Sequence, residues 1–388
     1  MKPFLIPRSP DSPLPRYPDI PISRFPVYLL FLLLISCSPK IVAPPPSVTE
    51  PIYWPPPPFE SRIEWVKEIR DFNDCNKNGF WHRISEIVFG EKQIRMIRPQ
   101  ALLVDQSQRL FVVDTGAGLV HWLDMKTNKY RFFPDHDDGV ILESPVGVAQ
   151  DGSDYLYITD SKAGTVLRYD LNKQSFQPFL PYKLKRPTGI VFNPVFNLLY
   201  VAETGTHQIV ALDLAGREKY RFGGRGDEVG LLNYPTHITV DGKGQLIVTD
   251  SLNARVQIFS ADGHFLGSFG QPGDTSGTFA KPKGVGVDSE DHIYVADALF
   301  DAVQIFDNSG RLLLEFGKSG HQPGEFWLPS GLFIDNNDFI YVADTYNRRI
   351  QVFRYITSGE RVIGLSGYRV IGLSGYRVIG GSGDRGIR

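Results

Sequence analysis

The chain is poor in cysteine, with two in 388 residues, so neither a disulfide framework nor a structural zinc site is open to it. Methionine is nearly as scarce, at three. Basic residues are not in excess: 41 Lys and Arg stand against 43 Asp and Glu, a net charge of −2, which excludes a strongly basic nucleic-acid binder. The longest uninterrupted apolar run, residues 27–35, has nine residues and is too short to cross a bilayer as a helix. Long stretches of helical periodicity are missing as well. What is present is 26 Phe, 17 Tyr, 38 Gly and 29 Pro, with 42% of residues hydrophobic. That mixture supplies a large core and many turns, and it points to an all-β protein.

The apolar run follows Lys2, Arg8, Arg16 and Arg24 and leads into Leu34-Ile35-Ser36-Cys37. A basic segment followed by a short apolar stretch is the layout of an export signal. The last four residues resemble the lipobox of bacterial lipoproteins, which implies cleavage before Cys37 and lipidation of its thiol. Several acyl chains on one residue anchor firmly, where a single chain holds only marginally. By the sorting rule of such proteins, Ser38 after the lipidated position implies the outer membrane. Residues 1–36 are therefore read as a lipoprotein signal peptide and residues 37–58 as a tether. Nine of the residues between 39 and 58 are proline, a composition that favours polyproline II and a semi-rigid spacer.

Six similar segments open on Pro99, Pro145, Pro187, Pro235, Pro282 and Pro329, at spacings of 42–48 residues. Positions three and five after the proline are mostly apolar, as in Ile238 and Val240. An acid ends the second β-rich run of each unit: Asp114, Asp160, Glu203, Asp250, Asp297 and Asp344. A third run follows, such as Arg255–Phe259, and commonly a fourth after a glycine turn. Four short strands per unit, with no helix between units, is the pattern of a β-propeller blade. A lone meander of this kind leaves two apolar faces uncovered, and stacking blades around an axis covers both. Two residues after the proline the side chain is small (Ala101, Gly147, Gly189, Gly284, Gly331), which permits close approach near an axis; His237 is the exception.

The sixth unit stops after its third strand, while residues 62–69 precede the first unit and read as a strand with no blade of their own. We expect them to supply the missing outer strand. The expected architecture is thus all-β, a six-bladed β-propeller over residues 59–356 with an N-terminal strand closing the last blade. Phe80, Trp81, Ile84, Ile87 and Val88 follow helical spacing and suggest a short helix packed on the ring. Residues 361–368 recur at 369–376, so residues 357–388 are read as a low-complexity, disordered tail.

The segment Tyr341-Val342-Ala343-Asp344-Thr345-Tyr346-Asn347-Arg348-Arg349-Ile350-Gln351-Val352-Phe353 resembles the NHL repeat, as do residues 247–259 and 293–306. The first two units resemble it less, since Asp114-Thr115-Gly116-Ala117-Gly118 lacks the Asn and Arg. The resemblance implies a six-bladed NHL propeller and, with the lipobox, is similar to the exported bacterial NHL lipoproteins.

Three function classes follow from that resemblance. Peptidyl-hydroxyglycine lyases of this fold hold zinc through several histidines, and a catalytic zinc needs about three protein ligands. Here only His237 stands at the axial position, which makes it a weak metal candidate and otherwise a hydrogen-bonded residue near the channel mouth. Lactonase-type propellers hold calcium with converging carboxylates. The six symmetric acids are instead expected to accept backbone N–H groups in their own turns. RNA-binding NHL proteins need a basic face, and the region between signal and tail is more acidic than the whole chain, so no nucleic acid is expected. The remaining class is a rigid platform whose loops grip a partner. Phe326, Trp327, Tyr346, Phe300 and Tyr234 are the candidate binding residues, and Cys75 reads as a free thiol or a buried small residue.

The expected function is a monomeric, lipid-anchored scaffold of the cell envelope that binds a protein, peptide or glycan without catalysis or cofactor. The alternative is a metal-dependent lyase or lactonase-like hydrolase with its site near His237.

Overall fold

A computed structural model describes residues 51–70, 72, 95–135 and 139–357. The lipobox with Cys37, the helix expected at residues 80–88, Cys75 and the octapeptide repeats lie outside the described residues.

Blade four shows how each unit folds. Pro235–Val240 runs nearest the axis, and Leu246–Asp250, Arg255–Phe259 and Phe265–Phe269 follow outward, each antiparallel to the one before. Proline opens the inner strand, where its missing N–H removes little from the ladder. The turn to the second strand is closed by Asp241, whose Oδ1 accepts the N–H of Lys243 at 2.9 Å and of Gln245 at 2.8 Å. The second strand is buried at every residue, since neighbouring blades cover both its faces. The outermost strand alternates exposed and half-buried positions, as an edge facing water does.

Six sheets repeat this plan around one axis, and no helix occurs among the described residues. The core is correspondingly divided. Leu232, Ile238, Val248 and Phe259 of blade four meet Tyr200, Ala202 and Ile209 of blade three. Tyr294, Val303 and Phe316 of blade five likewise meet Val342 and Phe353 of blade six. Each fully buried Phe contributes about 1.5–3 kcal/mol by leaving water, so every blade interface is a core in its own right.

Closure of the ring is non-covalent. Ile63–Ile69 pairs antiparallel with Arg349–Tyr355, from Ile63 opposite Tyr355 to Ile69 opposite Ile350. Trp65 Nε1 donates to Gln351 Oε1 at 3.0 Å, and Arg349 reaches Glu68 at 2.6 Å. The folded domain starts earlier than the composition suggests. The proline content predicts a tether as far as residue 58, yet Tyr53–Trp54 adds a fifth strand against Ile63 and Glu64. Trp54 packs on Phe316 and Phe353, each at 5.8 Å between ring centroids. An aromatic pair flanked by prolines gains more from that apolar seat than it would as part of a hydrated spacer.

Removing residues 59–70 should therefore lower the melting temperature by about 10 °C or more, since each kcal/mol lost lowers it by roughly 2–4 °C in a domain of this size. Trp54→Ala should cost about 2–3 kcal/mol in denaturant titration; a loss near zero would restore the tether boundary at residue 58.

Candidate functional site at the ring axis

The inner strands approach one another most closely at their third residues. A Cβ on Gly284 would stand 2.3 Å from the Ser330 carbonyl oxygen, and one on Gly331 would stand 2.5 Å from that of Gln100. No side chain fits those two positions, which is why they are glycine. Blade four carries His237 there, and its imidazole lines a channel of about 700 Å³ together with Leu103, Val191, Thr239 and Phe333.

The backbone of His237 is held firmly: its N–H donates to Thr249 Oγ1 at 3.0 Å, and its carbonyl accepts the Thr249 hydroxyl at 3.1 Å. Its ring is not held. Both ring nitrogens are buried and neither has a hydrogen-bond partner. The expectation of a hydrogen-bonded histidine is thus corrected: at the equivalent positions of the other blades stand four glycines and an alanine, none of which has a side chain that could be its partner. Burial, and then the charge of Lys283, push its pKa down to about 3. His237 is neutral at physiological pH, an orphaned polar group facing a cavity. Among the described residues, no group of three His, Cys, Asp or Glu side chains is placed to hold a metal ion.

The six acids lie away from the channel, pinning each blade's incoming loop. Asp114 accepts the N–H groups of Ile97, Arg98 and Ala117. Burial alone would raise its pKa, but His121 and those N–H groups outweigh it and hold the carboxyl low. Asp160 takes Glu143 and Ser144, Asp297 takes Ala280 and Lys281, and Glu203 takes Lys185 and Arg221. In blades four and six a longer network grows from this core. Asp344 accepts Trp327 N–H at 2.8 Å, Asn347 at 2.9 Å and the fully buried Arg349 at 2.7 Å. Arg349 then donates onward to the carbonyls of His321, Gln322 and Glu325. Asp250 and Arg255 repeat the arrangement in blade four.

In four of the six blades the residue after the acid latches blade to blade, which sequence reasoning missed. The hydroxyls of Thr204, Ser251 and Thr345 donate to the carbonyls of Pro235, Pro282 and Pro99 of the next blade at 2.6, 2.8 and 2.8 Å, and Thr115 does the same to Pro145. A hydroxyl follows the acid in every unit but the fifth, where Ala298 stands, and that recurrence was the available signal.

The candidate binding aromatics do not form one group. Phe326 is fully buried in the core between blades five and six, so its assignment as a binding residue is corrected. It matches Phe279 and Leu232, both also buried, in a loop pattern Gly-x-x-x-Gly-x-(Phe/Leu)-x-x-Pro shared by residues 226–235, 273–282 and 320–329. Each plugs a blade junction. Phe300 and Tyr234 are half-buried, and Tyr234 donates its N–H to His207 Nδ1 at 3.1 Å. Trp327 and Tyr346 remain 44% exposed each, with ring centroids 5.5 Å apart. His321 packs edge-on against Trp327 at 5.3 Å, and the Arg98 guanidinium lies 5.8 Å from the Tyr346 ring centre.

Six blades closed in a ring, two of them carrying this Asp, Asn and Arg network, make the chain a six-bladed β-propeller with NHL repeats. Residues 232–259 match the NHL repeat, and residues 287–361 match a family described as a 6-bladed β-propeller. Over 82 residues, 21% of this chain, it is 35% identical to the protein brain tumor of Drosophila melanogaster, of which the match spans 8%. An auxiliary nutrient binding protein from Bacteroides thetaiotaomicron superposes with a TM-score of 0.55 at 15% identity, covering 67% of this chain and 69% of that one. Virginiamycin B lyase from Staphylococcus aureus gives 0.50 at 15% identity, covering 75% and 99%. At these identities the likeness between structures is one of fold.

Two outcomes follow. Arg349→Ala leaves the buried Asp344 carboxylate without its cationic partner and three carbonyls short of a donor, and should cost about 3–5 kcal/mol in denaturant unfolding. His237 has a folded pKa below its unfolded value of 6.5, so the unfolded chain takes up the proton first. Its contribution is complete above pH 6.5 and is lost on acidification towards 3, with a slope of up to about 1.4 kcal/mol per pH unit. Between pH 7 and 4.5, His237→Ala should lose about 2 kcal/mol less stability than the wild type; equal losses would mean that the imidazole is solvated.

Proposed function

We propose that this propeller is a non-catalytic binding scaffold, carried at a bacterial cell envelope by lipid on Cys37, that holds a protein, peptide or glycan partner. The observation that carries the reading is the Trp327–Tyr346 pair, left exposed on loops whose backbone is otherwise tied down. The Trp327 N–H is bound by Asp344, and the Tyr346 N–H by the Trp327 carbonyl at 3.2 Å. Rigid aromatics that keep an apolar face in water, on loops held by a stiff frame, suit recognition at low entropic cost. Ile97 and Leu299 are exposed on loops and turns of the same kind in the two flanking blades, and Leu252 in blade four. A comparable ring occurs in a protein described as nutrient binding, so the fold is compatible with such a role. The enzymatic alternative at His237 lacks, among the described residues, the further ligands a catalytic zinc needs.

The test is capture of partners from native envelopes by the full, lipidated chain, alongside the double variant Trp327→Ala, Tyr346→Ala. A partner retained by the wild type should be recovered about tenfold less by the variant, the effect of losing roughly 1.4 kcal/mol. Equal recovery would remove the aromatic pair from the interface. Cys37→Ser should release the chain from the membrane fraction; a variant still sedimenting with membranes would end the anchoring part of the reading.

A further inference from the structure

The two ends of the ring treat their cations differently. At the hairpin turns that close the inner strands they are paired: Arg109 bonds Asp105, and Lys243 reaches Asp291 in the next blade at 3.0 Å. At the opposite end, where loops enter the inner strands, Arg98 and Lys281 have no ion pair among the described residues. The acids beside them are engaged with backbone instead. Asp114 takes the N–H groups of Ile97 and Arg98, and Asp297 those of Ala280 and Lys281. A chain with more acids than bases thus leaves positive charge unmatched at this end.

The same end carries exposed apolar side chains, and hydrogen bonds place them in one row. Leu252 follows Ser251, whose hydroxyl donates at 2.8 Å to the carbonyl of Pro282, the neighbour of Lys281. The turn that bears Leu299 is tied on one side to the Lys281 carbonyl, by the Ala298 N–H at 3.0 Å. On its other side Asp301 accepts the Leu328 N–H of blade six at 2.6 Å. Trp327 precedes Leu328, and its carbonyl accepts the N–H of Tyr346. The Tyr346 ring centre in turn lies 5.8 Å from the Arg98 guanidinium of blade one. Leu252, Lys281, Leu299, Trp327, Tyr346 and Arg98 therefore follow one another around four consecutive blades, an apolar arc interrupted by charge.

The composition of the arc selects among occupants. A glycan offers hydroxyls and leaves both cations without a counter-charge. A bilayer is entered by apolar side chains that stand clear of the frame and reach past the headgroups. The four apolar members here are only 44–61% exposed, the rest of each being covered by the protein. A polypeptide with carboxylates set between apolar side chains meets both demands: its acids complement Lys281 and Arg98, and its apolar groups cover half-sunken, rigid anchors.

We propose that this arc is the docking surface for an acidic protein segment bearing aromatic or aliphatic side chains, laid across blades four, five, six and one. The inference rests on the reading of Trp327 and Tyr346 as a binding surface and narrows the partner to one class.

The full chain is titrated by fluorescence anisotropy with a labelled peptide of interspersed Glu, Leu and Phe. Two controls replace its Glu with Lys, or its Leu and Phe with Ser. Saturable binding of the first peptide is expected, weakening as sodium chloride is raised, with each control bound at least about tenfold more weakly. The double variant Arg98→Gln, Lys281→Gln should weaken binding about tenfold and flatten its salt dependence. Its melting temperature should match the wild type, because neither side chain has an ionic partner to lose. No saturable binding of the first peptide, or equal binding of either control, would overturn the proposal. So would sedimentation of the Cys37→Ser chain with phosphatidylglycerol vesicles that the double variant abolishes, since the arc would then face lipid. An envelope partner lost with Trp327→Ala, Tyr346→Ala but kept by Arg98→Gln, Lys281→Gln would overturn this inference and leave the scaffold reading standing. A partner kept by both double variants would overturn the two together.

Discussion

Each blade of this protein is apolar on both faces, and each face is covered only by the next blade. Leu246–Asp250 and Ile293–Asp297 are buried along their whole length because two neighbours are always present. The stabilising free energy therefore resides in interfaces and not in the sheets. Opening one junction would expose the clusters on both of its sides. This is why the pairing of Ile63–Ile69 with Arg349–Tyr355 matters beyond its own hydrogen bonds: it turns a stack with two exposed ends into a ring with none. The Trp54 seat between Phe316 and Phe353 reinforces the same junction.

A second layer of order comes from polar groups that apolar burial would otherwise leave stranded. The turn acids collect backbone N–H groups from the loop entering their own blade, and hydroxyls such as Thr345 reach the proline carbonyl of the next one. Arg349 is the densest node, with two carboxylates and three carbonyls around one guanidinium. Burying such a group is tolerable only because every donor is used. The consequence is a set of loops whose backbone is fixed, so that what they display to solvent, Trp327 and Tyr346 foremost, is displayed in one arrangement.

The axis departs from this economy. Four of its six closest-approach positions are glycine and one is alanine, as close packing requires, while His237 brings an imidazole without a partner. Local rules are broken where a fold is put to use. That imidazole lines the channel of about 700 Å³, which makes the channel the chemically distinctive part of the ring.

The blade count, the four-strand plan, the glycine ring and the closing strand were all legible in the sequence, because each is a local pattern repeated six times or its conspicuous omission. Repetition also exposed His237 as the odd member of its column. Phe326 was not legible as core from its own surroundings, since an aromatic beside Trp327 in a glycine-rich loop looks the same whether it plugs a junction or faces water. Only comparison with Phe279 and Leu232, and finally the packing, separated them. Whether the histidine ring would find a partner depended on distances between strands far apart in the chain. Spacing along a chain determines which way residues alternate; which groups end up facing one another is decided when the blades close.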